Sequence, residues 1–121
     1  MGFDLHGVNP TGEYEDESKA GIYFRNNVWY WRPLWEIVTE ICEDLITYKD
    51  YKYGHSNDGH QIDADKALQI GIRLREMLED GTIEEYVKQF NEKETEGYKA
   101  DKQNIEEFAN FSINSGGFSI C

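Results

Sequence analysis

The residues best equipped for chemistry fall in two places. Between positions 23 and 35 lie all three tryptophans of the chain, Trp29, Trp31 and Trp35, interleaved with Arg25, Arg32, Asn26 and Asn27. Aromatic planes stack on flat groups, guanidinium forks grip carboxylates and phosphates, and amides fix orientation. Together they suit a planar or anionic ligand. Trp29 and Trp31 share a face if the segment is extended, Trp31 and Trp35 if it is helical. The plainer reading is a core, with the tryptophans packing a sheet against helices and the arginines stacked on them. The second place is the polar stretch carrying His55, Ser56, Asn57, Asp58, Gly59 and His60. A strand-to-helix connection and a polar loop both put side chains at a sheet's end. Arg25, Asn26, Asn27, Trp29, Trp31, Arg32, His55, Asn57, Asp58 and His60 are therefore predicted to line one ligand site.

Other chemistries fit less well. His55, Asp58, His60, Asp63 and Asp65 carry metal-binding groups, but their spacing matches neither an EF-hand nor H-E-x-x-H, and Asn57-Asp58-Gly59 makes a turn by itself. No metal and no cofactor is predicted. No serine stands in G-x-S-x-G, no glycine-rich phosphate loop follows a strand, and no cysteine is matched to a histidine. Binding is favoured over catalysis. An enzyme acting on a nucleotide or metabolite through His55 and the Trp/Arg block stands as the alternative. Ser115-Gly116-Gly117 reads as a helix stop whose backbone amides could also hold an anion.

Glu36, Glu40, Glu43 and Asp44 line one side of a helical stripe and form a predicted partner-binding face, set against the common reading of a solvated helix surface. The whole chain has 24 acidic against 12 basic residues, a net charge of −12. That argues against direct nucleic-acid binding, which needs a basic face, and suits a basic protein partner. The length of 121 residues suits one domain, and 39% hydrophobic content suits a globular one. No apolar run approaches the roughly 20 residues of a membrane span. The N-terminal residues show neither the basic n-region nor the apolar h-region of a secretory signal, and His6 stands where a myristoylation site needs Ser or Thr. Cys42 and Cys121 are then expected as reduced thiols in a cytoplasm.

The elements that would position these residues follow from periodicity. Strands are predicted at residues 3–6, 21–25 and 118–121, with Asn26-Asn27 turning the chain and residues 13–18 forming an acidic loop. Pro33 suits a first helical turn, and Leu34, Ile37, Val38, Ile41 and Leu45 continue a stripe to about residue 46 or 48. Residues 48–63 show no periodicity and read as a long loop. Residues 64–80 form a helix started by Asp63 or Asp65 and stopped by Gly81. Thr82 with Glu85 reads as a capping box, and Asn104 with Glu107 as another helix start. The predicted fold is α+β: a sheet of two or three strands, including the C-terminal one, against about four helices. Leu34, Ile37, Ile41, Leu74, Leu78, Val87, Phe90 and Phe108 are the predicted core.

Three stretches together carry a resemblance. They are residues 1–10, the block 23–35, and Asn104-Ile105-Glu106-Glu107-Phe108 with Ser115-Gly116-Gly117-Phe118-Ser119-Ile120-Cys121. They resemble a group of small proteins encoded by tailed bacteriophages and prophages, and His55-Ser56-Asn57-Asp58-Gly59 is similar to that group too. Longer members carry a cysteine-rich, zinc-knuckle-like insert before the last helix. This chain has no cysteine in residues 94–102, so no metal role follows. The resemblance brings no activity with it. It implies a phage accessory protein in the cytoplasm of a bacterial host. The expected function is then a non-enzymatic host-defence antagonist. It would either occupy a defence protein, as anti-CRISPR inhibitors do, or sequester a small nucleotide signal. Self-association stays open.

Overall fold

Alternation along β1 (Gly2–Gly7) sends Phe3 and Leu5 inward and leaves Asp4 and His6 on the opposite face. The computed structural model describes residues 2–12 and 16–121. β2 (Tyr23–Asn27) pairs antiparallel with β1, aligning Leu5 with Phe24. β4 (Phe118–Ile120) lies on the other side of β1, and β3 (His60–Ile62) pairs with β4 through Ile62 and Phe118. The sheet order is β2-β1-β4-β3, all antiparallel. Five helices complete an α+β fold among the described residues: α1 (Val28–Ile41), α2 (Tyr48–Gly54), α3 (Ala64–Glu79), α4 (Thr82–Lys93) and α5 (Lys102–Ser115).

The inward face of the sheet meets the helices in one core. Trp31 and Trp35 stack there at 5.4 Å and 16°, with Phe3 against Trp31 at 5.7 Å. Phe108 of α5 packs edge-on against Trp31, Phe24 and Phe118. Of the predicted core, Leu34, Ile37, Leu74 and Phe108 are buried; Ile41, Leu78, Val87 and Phe90 are half-buried at its margin.

Several sequence expectations need correction. The sheet has four strands, the additional one being β3, a three-residue strand inside the stretch read as loop. The same stretch holds α2, whose seven residues are too few for an apolar stripe. α2 is fixed by capping instead. Thr47 Oγ1 accepts from the Asp50 amide and the Asp50 carboxylate accepts from the Thr47 amide. Asn26 and Asn27 do not reverse the chain: β2 runs straight into α1, with Asn27 as N-cap accepting from the amides of Trp29 and Tyr30. Pro33 therefore lies inside α1 and not in its first turn. α1 ends at Ile41, short of residue 46, and Arg73 Nη1 bonds the Ile41 carbonyl. Thr82 is the first residue of α4 and not its cap; Gly81, at φ 87°, occupies the cap position, and Asp80 Oδ1 accepts from the Thr82 amide at 2.9 Å. α5 is capped by Asp101, which accepts from the Asn104 amide, so Asn104 lies one turn inside. Of the acidic loop expected at 13–18, Glu13, Tyr14 and Glu15 lie outside the described residues. Asp16 makes a tight turn by accepting from Ser18 and Lys19.

Candidate functional site

α2 is held against α1 by the tryptophans. Trp31 Nε1–H donates to the Gly54 carbonyl at 2.8 Å and Trp35 Nε1–H to the Tyr51 carbonyl at 3.2 Å. Gly54 has to be glycine for this approach: a Cβ there would lie 2.1 Å from Nε1 of Trp35. Asp50, buried in the same short helix, accepts from Lys66 Nζ at 2.6 Å and His60 Nε2 at 2.7 Å. Burial pushes its carboxyl up, but the Lys66, His60 and Thr47 hydrogen bonds outweigh this and bring it down to about 2. The next residue after Gly54 is His55, so the core packing of α2 sets where His55 stands.

A third wall comes from the connection between α4 and α5, residues 94–101. Pro33 has no N–H, so the carbonyl four residues earlier, that of Trp29, lacks its helical donor. The Lys99 amide donates to it at 3.1 Å. Asn91 clamps the same connection, donating to the Ala100 carbonyl at 3.0 Å and accepting from its amide at 2.9 Å. Trp29 then packs on Tyr98 with ring centroids 5.0 Å apart.

These supports border an open cleft of about 510 Å³ lined by Arg32, Pro33 and Glu36 of α1, Tyr51, Lys52 and His55, Phe90 of α4, and Glu94, Glu96 and Tyr98. Its polar groups are unevenly committed. Glu36 Oε1 accepts from Tyr51 Oη at 2.6 Å and lies 3.0 Å from His55 Nε2. The bond to Glu36 pushes the Tyr51 phenol up to about 12. Burial lowers the His55 pKa against the opposing pull of Glu36, so the ring is neutral at pH 7, and Nε2–H is the donor to Glu36. Glu94 Oε1 accepts from the Glu96 amide. Arg32 by contrast has no hydrogen bond and no ion pair among the described residues, and its Nε is buried. His55 Nδ1 is likewise buried without a partner.

Of the ten predicted ligand-site residues, Arg32 and His55 line this cleft, and Trp29 reaches it only by backing Tyr98. Trp31 is fully buried, which removes it as a stacking surface for a ligand. Arg25 binds Asp4 on the outer face of the sheet, and Asn26 exchanges two amide bonds with Asn104. Asn57 donates to the Gly2 carbonyl, Asp58 accepts from Ser56, and His60 is held by Asp50. The sequence reading missed Tyr51, Phe90 and Tyr98, which lie far apart in the chain. Of the predicted partner face, Glu40 and Glu43 are exposed, Glu36 is bound as above, and Asp44 is engaged by Arg73. Among the described residues no group of three or more His, Cys, Asp or Glu side chains could hold a metal ion, and no helix is long and apolar enough to cross a membrane. Compared with known proteins, the chain matches no family model, no curated protein and no solved structure.

Proposed function

We propose that this chain is a non-enzymatic binding protein whose cleft at Arg32 takes a small planar ligand bearing one or two negative charges, a nucleotide signal being the best fit. The observation that carries this reading is Arg32 itself. In a chain with twice as many acids as bases, a half-buried guanidinium stays without a carboxylate among the described residues. An unpaired cation with a buried donor destabilises the free protein and is retained where a ligand uses it. Lys52 adds a second cation, and Tyr51, Phe90 and Tyr98 supply aromatic walls. Three carboxylates on the same walls, Glu36, Glu94 and Glu96, disfavour a polyphosphate and suit the amino and imino donors of a base.

Catalysis through His55 is disfavoured by its wiring. A general base needs a free ring nitrogen within reach of substrate. Here Nε2 is tied to Glu36 and Nδ1 is buried. In the phage setting that the sequence resembles, retention of a nucleotide without turnover would blunt a host-defence signal in the bacterial cytoplasm.

The test is calorimetric titration with ribonucleoside 5′-monophosphates, cyclic mononucleotides and cyclic dinucleotides, followed by chromatography of the recovered nucleotide. The expected result is saturable binding of at least one class, recovery of it unchanged, and loss of roughly tenfold or more in affinity for Arg32→Gln. Turnover of the nucleotide, or equal binding by Arg32→Gln, would overturn the reading.

A further inference from the structure

We propose that a second surface, the acidic ridge of α1 with a partly apolar trough on each side, docks a basic amphipathic segment of a protein partner. It adjoins the cleft and shares Glu36, Tyr51 and Phe90 with its lining, but it rests on the charge of the ridge and not on a cleft ligand. Glu36 and Glu40 are four residues apart, and Glu43 follows at the next turn beyond the helix end. On one side of this ridge, towards α2, runs a trough of about 380 Å³ where Ile46, Tyr48 and Tyr51 stand with Thr39 and Thr47. On the other side, towards α4, runs a trough of about 300 Å³ lined by Ile37, Tyr86, Gln89 and Phe90, with Lys93 as the single base of the pair.

The charge arrangement on the ridge is unfavourable in the protein alone. Like charges four apart on a helix repel, and carboxylates near a helix C-terminus face the negative end of its dipole. α1 has no basic residue in its last turn. Asp44 escapes this by pairing with Arg73, whereas neither Glu40 nor Glu43 has a cation partner among the described residues. A basic segment relieves that repulsion, and the troughs give its apolar side chains a place on either side. Tyr48, 77% exposed, is the most exposed large apolar side chain among the described residues and stands at the rim, where aromatic residues anchor interfaces. Charge complementarity thus selects a lysine- or arginine-bearing segment, and the paired troughs select an amphipathic one.

The probes are two short fluorescein-labelled helical peptides sharing one leucine pattern, the first with arginine and lysine at its polar positions, the second with glutamate. Anisotropy is read on the wild type, on Glu40→Lys/Glu43→Lys, on Tyr48→Ala, and on a control of equal charge change on α3, Glu76→Lys/Glu79→Lys. Circular dichroism verifies that each variant is folded. The expected result is binding of the basic peptide only. It should weaken roughly tenfold in the ridge variant, the scale of two ion pairs replaced by repulsion, and weaken in Tyr48→Ala, with little change in the control. Binding of neither peptide, binding of both, or equal loss in the ridge and control variants would overturn the proposal, the last showing only general attraction to an acidic protein.

Discussion

The Trp29 carbonyl and the Lys99 amide are joined by a 3.1 Å hydrogen bond that exists because Pro33 supplies no helical donor. A helix interruption is thereby converted into a tether. It holds residues 94–101 against α1 and brings Tyr98 to the cleft that Arg32 lines from the next turn.

Cutting the companion tether should loosen this wall while sparing the core. Asn91→Ala removes both bonds to Ala100 and exposes or orphans two backbone groups, a cost of about 1–3 kcal/mol. Hydrogen exchange at the Lys99 and Ala100 amides should accelerate, with α3 and α5 protected as in the wild type. Unchanged exchange at Ala100 would show that the connection is held by something else.

Gly54→Ala should be costly for a residue at the end of a short helix. The added methyl meets the Trp35 ring, and overpacking of this kind costs about 1–3 kcal/mol. The urea midpoint should fall, and the His55 environment should shift with α2, visible as a changed His55 ring resonance. An unaltered midpoint would mean that α2 does not rest on the tryptophans.

Acid should weaken the fold in two windows. His55 has a folded pKa below the ordinary 6.5, so as pH falls the unfolded chain protonates first and stability declines from about pH 6.5 downward until the folded ring protonates. Asp50 is likewise lowered, from 3.8 to about 2, so its contribution is complete above about pH 4 and is lost as pH falls towards 2. Urea midpoints of His55→Gln should lack the first decline, and those of Asp50→Asn should lack much of the second. Parallel pH curves for both variants and the wild type would contradict the assignment.

The C-terminal strand should be indispensable. β4 lies between β1 and β3, and Phe118 and Ile120 are fully buried. Deletion of residues 118–121 separates β3 from the sheet and should abolish a cooperative thermal transition. A truncated chain that melts like the parent would contradict the sheet order.

The helical stripes were legible in the sequence because α1, α3 and α4 bury one face each, and a stripe encodes one face. The same periodicity overreached at Ile41, which is half-buried; Leu34→Ala should cost about 2–5 kcal/mol and Ile41→Ala less. α2 and β3 were not legible. Their placement depends on Gly54 fitting under Trp35 and on Asp50 gathering Lys66 and His60, contacts between residues 10 or more apart that leave no local pattern. The aromatic block held both readings at once. Helical spacing placed Trp31 and Trp35 together in the core, while Arg32, one residue on, faces the cleft. Tyr98 reaches that cleft through the Lys99 and Asn91 tethers, and neither tether has a sequence signature beyond a proline inside a helix.

The most direct test of the central claim is the ¹H–¹⁵N spectrum of the Arg32 side chain. A mixture of the ribonucleoside 5′-monophosphates, cyclic mononucleotides and cyclic dinucleotides would be titrated into labelled protein. The account predicts that the Arg32 Nε–H resonance moves saturably, together with the backbone amides of His55 and Tyr98, while those of Asp4 and Arg25 on the outer sheet face stay in place. An Arg32 resonance unmoved by the mixture, or shifts confined to the outer sheet face, would contradict it.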